Sequence, residues 1–347
     1  MDKINRLFLI ALLFFLTFAL FGQTGMEVGI NELISELKAE FYIDLYRGTG
    51  CLDNGEHTIS FSPEIPFIMI DYQLLLPAPG IRLDESGSFF FSNEAVASIK
   101  RGFSKEFHQG GPIISTVILD PGHGGRDPGA IGRFTINGES KQFFEKDVVL
   151  KVAQIINENL KKDFPDRNVI LTRSDDTYLT LEQRTEIANG VKLEENEAMI
   201  FISLHANASF NTKASGYEIW YLPSDYRRNL LDPGDIVGVD EHVIPILNTM
   251  LEEEFTKESI SLARAILKGM DSHVGDRSVS RGLKEESWFV VRNAEMPSVL
   301  IETGFISNKE EALLLQDDSY LNDMGQGIYN GIQFFINGFE NTKGFTE

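Results

Sequence analysis

Residues Thr116–Gly132 read TVILDPGHGGRDPGAIG, an apolar run that turns abruptly into a glycine-rich loop around one histidine. Val117, Ile118 and Leu119 have the β-branched and apolar character of a buried strand, and Asp120-Pro121-Gly122 ends it within a residue. His123 therefore falls at the carboxyl end of a strand. Gly122, Gly124, Gly125 and Gly129 clear side chains from around the imidazole. No Lys-Ser/Thr pair follows the glycines and GxGxxG spacing is missing, so the loop does not read as a phosphate cradle.

The surrounding pattern repeats that theme. From Glu145 on, Val148, Val149, Val152, Ile155, Ile156 and Leu160 recur at helical steps, predicting a helix packed on a sheet. Glu145 sits in its first turn, where a carboxylate also suits the helix dipole. Asn168–Thr172 predicts a strand, Thr180–Asn189 a helix carrying Arg184, and Ala198–Ser203 a buried strand running into Leu204-His205-Ala206-Asn207. Gly216–Tyr221, Trp288–Arg292 and Pro297–Ile301 are further strand candidates, the last ending at Glu302, and Met324–Ile336 predicts a closing helix. Alternating strands and helices indicate an α/β sheet whose site forms at the carboxyl ends of the strands.

Two histidines and a carboxylate from separate elements make a ligand set for a catalytic zinc, which takes three protein ligands and keeps one position open. His123, Glu145 and His205 fit that set. Zinc polarises a carbonyl and makes water nucleophilic near neutral pH, and amide hydrolysis then needs a base to take a proton. Glu302 is the candidate.

The 347-residue chain is long enough for about two domains. With 31 basic and 52 acidic side chains its formal net charge is −21, which argues against nucleic acid or an anionic membrane as partner. Cys51 is the single cysteine, so no internal disulfide forms. Lys3 and Arg6 precede an apolar stretch, Leu7–Phe21, and then Gly22-Gln23-Thr24, the order of a secretory signal peptide over residues 1–23. Export to the periplasm or cell envelope is expected, without stable membrane association unless that segment is retained. No A-x-A site marks its cleavage.

Residues 24–110 read as a small β-rich module: a short helix over Asn31–Tyr42, then β-prone runs at His57–Phe61, Pro66–Leu76 and Ser88–Phe91. His57 and His108 have no partner at a metal-ligand spacing and read as ordinary histidines. Gln109-Gly110-Gly111-Pro112 is a linker into the second domain, 111–340. Within it an acidic insertion, about 223–259, is longer than a compact α/β domain needs; Val239–Phe255 could be helical, ahead of a separate helix at Ile260–Gly269.

Thr116–Gly132, Phe144–Val152, Tyr178–Asn189, Ile200–Asn207 and Arg281–Asn308 together resemble the zinc-dependent N-acetylmuramoyl-L-alanine amidases, the type 3 amidase family of cell-wall hydrolases, with DPGHGG, SLHAN and ETGFISN in the family's order. The resemblance implies a mixed sheet between two helical layers, one Zn2+ held by His123, Glu145 and His205, Glu302 as catalytic glutamate, and peptidoglycan as substrate. Arg184 matches an arginine in an L-x-x-R stretch, with a structural or a substrate role; His242 and His273 match no ligand position. Members that separate daughter cells carry an inserted helix that covers the zinc until a protein activator moves it, and Asp240–Leu267 is similar in placement. The resemblance thereby implies autoinhibition, with Glu241 or one of Glu252, Glu253 and Glu254 facing the metal. Two other readings use the same residues: a zinc peptidase acting on stem peptides, disfavoured by the lack of HExxH, and an inactive wall-binding protein, disfavoured because no ligand is substituted.

Overall fold

The computed structural model describes residues 27–104 apart from 45, 47, 72 and 73, and 112–341 apart from 195, 227, 229 and 231–243. The expected signal segment, His108, Glu241 and His242 lie outside the described residues.

Residues 28–102 form a module with strands β1 (Val28–Gly29), β2 (Glu40–Asp44), β3 (Thr49–Asp53), β4 (Thr58–Ser62), β5 (Ile65–Ile70), β6 (Leu74–Pro77), β7 (Ile81–Leu83) and β8 (Phe89–Phe91), and helices α1 (Ile30–Leu37) and α2 (Asn93–Gly102). β2 to β6 make an antiparallel meander in sequence order, and β1, β8 and β7 a second small sheet. Alternation decides which side is inside. In β3 the even position Leu52 is buried between half-buried neighbours, and with Ile59, Phe61, Ile68, Phe89, Phe91 and Ile99 it builds a core of its own. The Phe61 ring meets Phe89 and Phe91 edge-on, both at 5.1 Å. The expected helix over Asn31–Tyr42 is shorter, because Lys38 takes a left-handed conformation (φ 53°) that closes α1 on the Ile34 carbonyl and frees Glu40–Asp44 to pair as a strand. The expected single run Pro66–Leu76 is a hairpin, β5 pairing with β6. His57 hydrogen-bonds Asp71 at 2.7 Å, far in sequence from any metal group.

The second domain contains β9 (Ile113–Pro121), β10 (Ile131–Ile136), β11 (Glu139–Phe144), α3 (Glu145–Asp163), β12 (Asn168–Leu171), α4 (Leu181–Asn189), β13 (Glu197–Asn207), β14 (Tyr217–Tyr221), α5 (Ile244–Val274), β15 (Ser280–Glu285), α6 (Phe289–Asn293), β16 (Ser298–Phe305), α7 (Lys309–Leu314) and α8 (Asp318–Asn341). Six strands form one mixed sheet, in the order β12-β9-β13-β16-β14-β15, parallel except where β14 runs against β16. On one face Ile200, Ile202 and Leu204 of β13 pack with Val149 and Val152 of α3, Leu262 and Ile266 of α5 and Ile328 and Ile332 of α8. The alternate residues Met199 and Phe201 pack on the other face with Ala188 of α4 and Val290 and Val291 of α6. Strands buried on both sides explain the unbroken apolar runs at Val117–Leu119 and Ala198–Ile202.

Two further expectations are corrected. Trp288–Arg292 is not a strand: helix α6 starts at Phe289, and the edge strand is Ser280–Glu285, whose Arg-Gly-Leu-Lys sequence carries little β signal. From Ile244 on, the two helices expected over Val239–Phe255 and Ile260–Gly269 are one helix, α5, because Thr256-Lys257-Glu258-Ser259 contains no breaker and Ser259 bonds back to the Phe255 carbonyl. The hairpin β10–β11 was not anticipated. It inserts between the histidine loop and Glu145, which lets Glu145 begin its helix beside that loop.

Candidate metal centre

β9 and β13 lie side by side and parallel, so their carboxyl ends deliver His123 and His205 to one rim of the sheet. His123 sits just past the end of β9 in the left-handed region (φ 59°), a conformation uncommon for a side chain other than glycine or asparagine. Its Nδ1 is 2.8 Å from Asp127 Oδ2, which leaves Nε2 turned toward Glu145 Oε1 at 3.2 Å. His205 Nδ1 is 2.9 Å from that same oxygen. The two imidazoles stand edge-on with centroids 5.0 Å apart. The ligand atoms of His123, Glu145 and His205 all lie within 4.8 Å of one another, and this is the one such group of three among the described residues.

Glu145 is the fixed point. It is buried, with Oε2 accepting from the Ala130 N–H at 2.7 Å and Oε1 from the Ala206 N–H at 2.9 Å. Burial alone would raise its carboxyl, but the hydrogen bonds and charge of His123 and His205 outweigh that and hold it well below the usual carboxylate range. His123 shows the reciprocal effect: burial opposes its charge, and Glu145 and Asp127 raise it above the ordinary imidazole value. Two imidazole nitrogens and a carboxylate oxygen converging in this way suit a divalent metal, which would replace the protons that otherwise bridge them.

The glycines leave the room. A Cβ on Gly122 would lie 2.3 Å from the His205 ring, and one on Gly129, whose φ is +66°, would lie 2.6 Å from Glu145 Oε2. No other residue fits either position.

Glu302 pairs across the parallel ladder with His205 and projects from the same sheet face. The residue is partly exposed, yet its Oε2 is shut off from solvent with no hydrogen-bond partner among the described residues. Burial, reinforced by the Glu145 and Glu218 carboxylates, pushes its carboxyl well above the usual range. An orphaned carboxyl oxygen beside a ligand cluster is expensive unless something meets it.

Behind this site two arginines hold the loop. Arg184, 2% exposed, reaches Asp120 Oδ1 and the Pro121 carbonyl, both at 2.7 Å, and the His123 carbonyl at 2.5 Å. Arg173 donates to the Pro121 and Gly122 carbonyls at 2.9 and 2.7 Å. Asp120 is fully buried and also accepts from Thr172 and Ser203. All the contacts recorded for Arg184 are internal, so its place in the structure is that of a clamp on the histidine loop. Arg184→Leu leaves Asp120 buried with its charge uncompensated, and a loss of about 3–5 kcal/mol in unfolding free energy is expected by denaturant titration.

The structure brings the sequence candidates His123, Glu145 and His205 together and sets Glu302 in register with His205, whereas sequence reasoning missed Asp127, Asp120 and Arg173. The first lies four residues after His123 and could have been sought as the carboxylate that orients a ligand imidazole.

Of the expected autoinhibitory carboxylates, Glu252 has a defined partner. Glu252 is buried against Arg228 Nε at 2.7 Å, and Arg228 in turn binds the Ala294 carbonyl. Ser259, in the same helix, holds the Ser298 N–H at 2.9 Å. The first anchor lies just before β16 and the second at its first residue, four positions ahead of Glu302. Glu252 is thus tied to Arg228, and α5 packs through Leu262 and Ile266 on the core of the sheet.

A three-layer α/β domain that sets a His-Glu-His group and a partnerless carboxyl at the strand ends has the arrangement of a hydrolase. Comparison with known proteins gives the particular one. The family model described as N-acetylmuramoyl-L-alanine amidase matches residues 117–334, and the chain belongs to that family of peptidoglycan hydrolases. It is 33% identical over 245 residues to the N-acetylmuramoyl-L-alanine amidase AmiA of Salmonella typhimurium, covering 67% of this chain and 79% of AmiA. To LytC of Bacillus subtilis, an N-acetylmuramoyl-L-alanine amidase, it is 30% identical, over 63% of this chain and 35% of LytC. Among solved structures, the catalytic domain of CwlV, an N-acetylmuramoyl-L-alanine amidase from Bacillus (Paenibacillus) polymyxa, superposes with a TM-score of 0.49 at 29% identity, over 65% of this chain and 99% of that one. No helix among the described residues is long and apolar enough to cross a membrane.

Proposed function

We propose that the enzyme uses one zinc ion, held by His123 Nε2, Glu145 and His205 Nδ1, to hydrolyse the amide between the lactyl group of N-acetylmuramic acid and L-alanine during cell-wall remodelling, and that it acts after export to the envelope. The observation that carries this reading is the convergence of the three ligand atoms within 4.8 Å beside the partnerless Glu302 Oε2. When bound, zinc supplies polarisation of the scissile carbonyl and of water.

The chain supplies the rest. Asp127 and the φ 59° backbone fix the His123 ring, while the Ala130 and Ala206 N–H groups fix the Glu145 carboxylate, so the ligands are set before any metal arrives. Glu302, with a carboxyl raised well above the ordinary value, is suited to take a proton from attacking water and return it to the departing alanine nitrogen. The leaving stem peptide departs as a free amine, and the glycan keeps the lactyl carboxylate.

Digestion of purified peptidoglycan with product analysis tests this. Glycan with free muramic acid plus intact stem peptides is expected. Shortened stems would mark a peptidase, and binding without release would mark an inactive wall-binding protein.

A further inference from the structure

The chain has two tryptophans, and the fold brings them together. Trp220 lies on β14 and Trp288 at the N-cap of α6, and their rings meet edge-on with centroids 5.9 Å apart. Register fixes where the pair stands. Glu218 pairs with Glu302 and Trp220 with Leu300, so Trp220 is one strand across and two residues along from Glu302 on the same face of the sheet, about 8 Å between Cα atoms. On that face α4 and α6 pack over Ile118, Phe201 and Leu300 of β9, β13 and β16, whereas Trp220 and Lys284 of the outer strands β14 and β15 are only partly buried.

The two rings differ in what they leave open. Lys284 Nζ sits 5.2 Å over the Trp220 ring and is tied to Glu218 at 2.9 Å, so that ring is already covered. Trp288 is fixed by its place at the start of α6, where its carbonyl accepts from the Arg292 N–H at 2.9 Å, yet it is 42% exposed. An indole that serves packing alone is mostly buried. The charges nearby balance: Arg281, Lys284 and Arg292 are matched by Glu218, Glu285 and Glu286 even before Glu302 is counted, which leaves no cation for an anionic group. The opposite, β12 side of the metal group differs, with the Arg126 guanidinium 4.3 Å over the Tyr178 ring.

We propose that Trp288, backed by Trp220, is a sugar subsite that takes the apolar face of a ring in the glycan strand next to the N-acetylmuramic acid being processed. The inference rests on the amidase reading and names which part of the polymer lies on the β14–β15 side. A pyranose has a face of C–H groups and a rim of hydroxyls, which matches an exposed indole beside Glu286 and Ser287. The stem peptide carries carboxylates and finds no surplus cation here, whereas the glycan backbone is uncharged. Reach does not limit the glycan: the lactyl arm holds the muramic acid ring next to the scissile carbonyl, and the strand continues past it ring after ring.

The test uses the full chain and two substrates with the same stem: peptidoglycan strands, and an N-acetylmuramoyl peptide, which has the reacting sugar and no neighbouring one. Trp288→Ala should raise KM for the strands about tenfold and for the muramoyl peptide far less, with Trp288→Phe close to wild type. Glycan strands stripped of stems should also shift the tryptophan emission of wild type, since both indoles of the chain lie at the subsite. An equal rise in KM on both substrates would mark a structural or stem-binding residue and overturn the subsite. An unchanged KM for strands in Trp288→Ala, or an emission that stripped glycan does not move, would overturn it too, with the amidase reading intact. Cleavage of neither substrate by wild type would overturn the amidase reading itself, and the subsite with it.

Discussion

Glu302→Gln should retain the fold and the metal yet lose peptidoglycan hydrolysis by about 10²–10⁴-fold in kcat, the usual contribution of a positioned acid–base group. Glutamine has the same shape, and Glu302 makes no recorded hydrogen bond through Oε2 that the change would break. Removing a carboxyl raised by burial and by Glu145 and Glu218 also relieves like-charge repulsion, so Tm should hold or rise slightly. Activity and thermal unfolding measured on one sample separate the two effects. A variant that stays active would remove Glu302 from the chemistry.

Glu145→Ala should be the more damaging change, because Glu145 has two jobs. It is one of the three converging donors, and losing one ligand costs several kcal/mol of charge stabilisation, about 10³-fold or more in rate. It also anchors the Ala130 and Ala206 N–H groups, which would be left buried and without their acceptor at a cost of about 1–3 kcal/mol each. Linkage gives the effect a pH signature in the metal-free protein. The folded carboxyl of Glu145 lies below its unfolded value of about 4.3, so its stabilisation is present above that value and lost as pH falls through the folded one. His123 is raised, so its share is complete below about 6.5 and lost as pH climbs. Metal-free wild type should gain most from this cluster at mildly acidic pH, and Glu145→Ala should flatten that profile. Urea unfolding across pH in the presence of a chelator measures it.

The centre of the site was legible in the sequence for a physical reason. A buried parallel strand is an apolar run that ends in polar residues, and the residues toward that carboxyl end are the ones the sheet presents, so His123 just past β9 and His205 and Glu302 at the ends of their strands' apolar runs announce themselves by position. Glu145 was ambiguous, because a first-turn carboxylate is equally a helix cap, and geometry alone separates the two.

Other features were hidden for different reasons. The β10–β11 hairpin turns at Asn137-Gly138, both with positive φ, an Asn-Gly signal that was present but sits between strands rich in polar residues such as Glu139-Ser140-Lys141-Gln142. β15 is an edge strand, and only its neighbour β14 makes Ser280–Glu285 extended. The continuity of α5 depends on core contacts of Phe255, Leu262 and Ile266 that periodicity does not distinguish from two amphipathic segments. The role of Arg184 follows from three carbonyl and carboxylate contacts spread over 64 positions of sequence, which no local pattern encodes.

The most direct test of the central claim is the metal content of the purified chain by elemental analysis, wild type beside His205→Ala, with peptidoglycan release assayed on the same samples. Near-stoichiometric zinc and release in wild type, both lost in His205→Ala, is the predicted result. Wild type that releases stem peptides with no zinc, or His205→Ala that keeps its zinc, would contradict it.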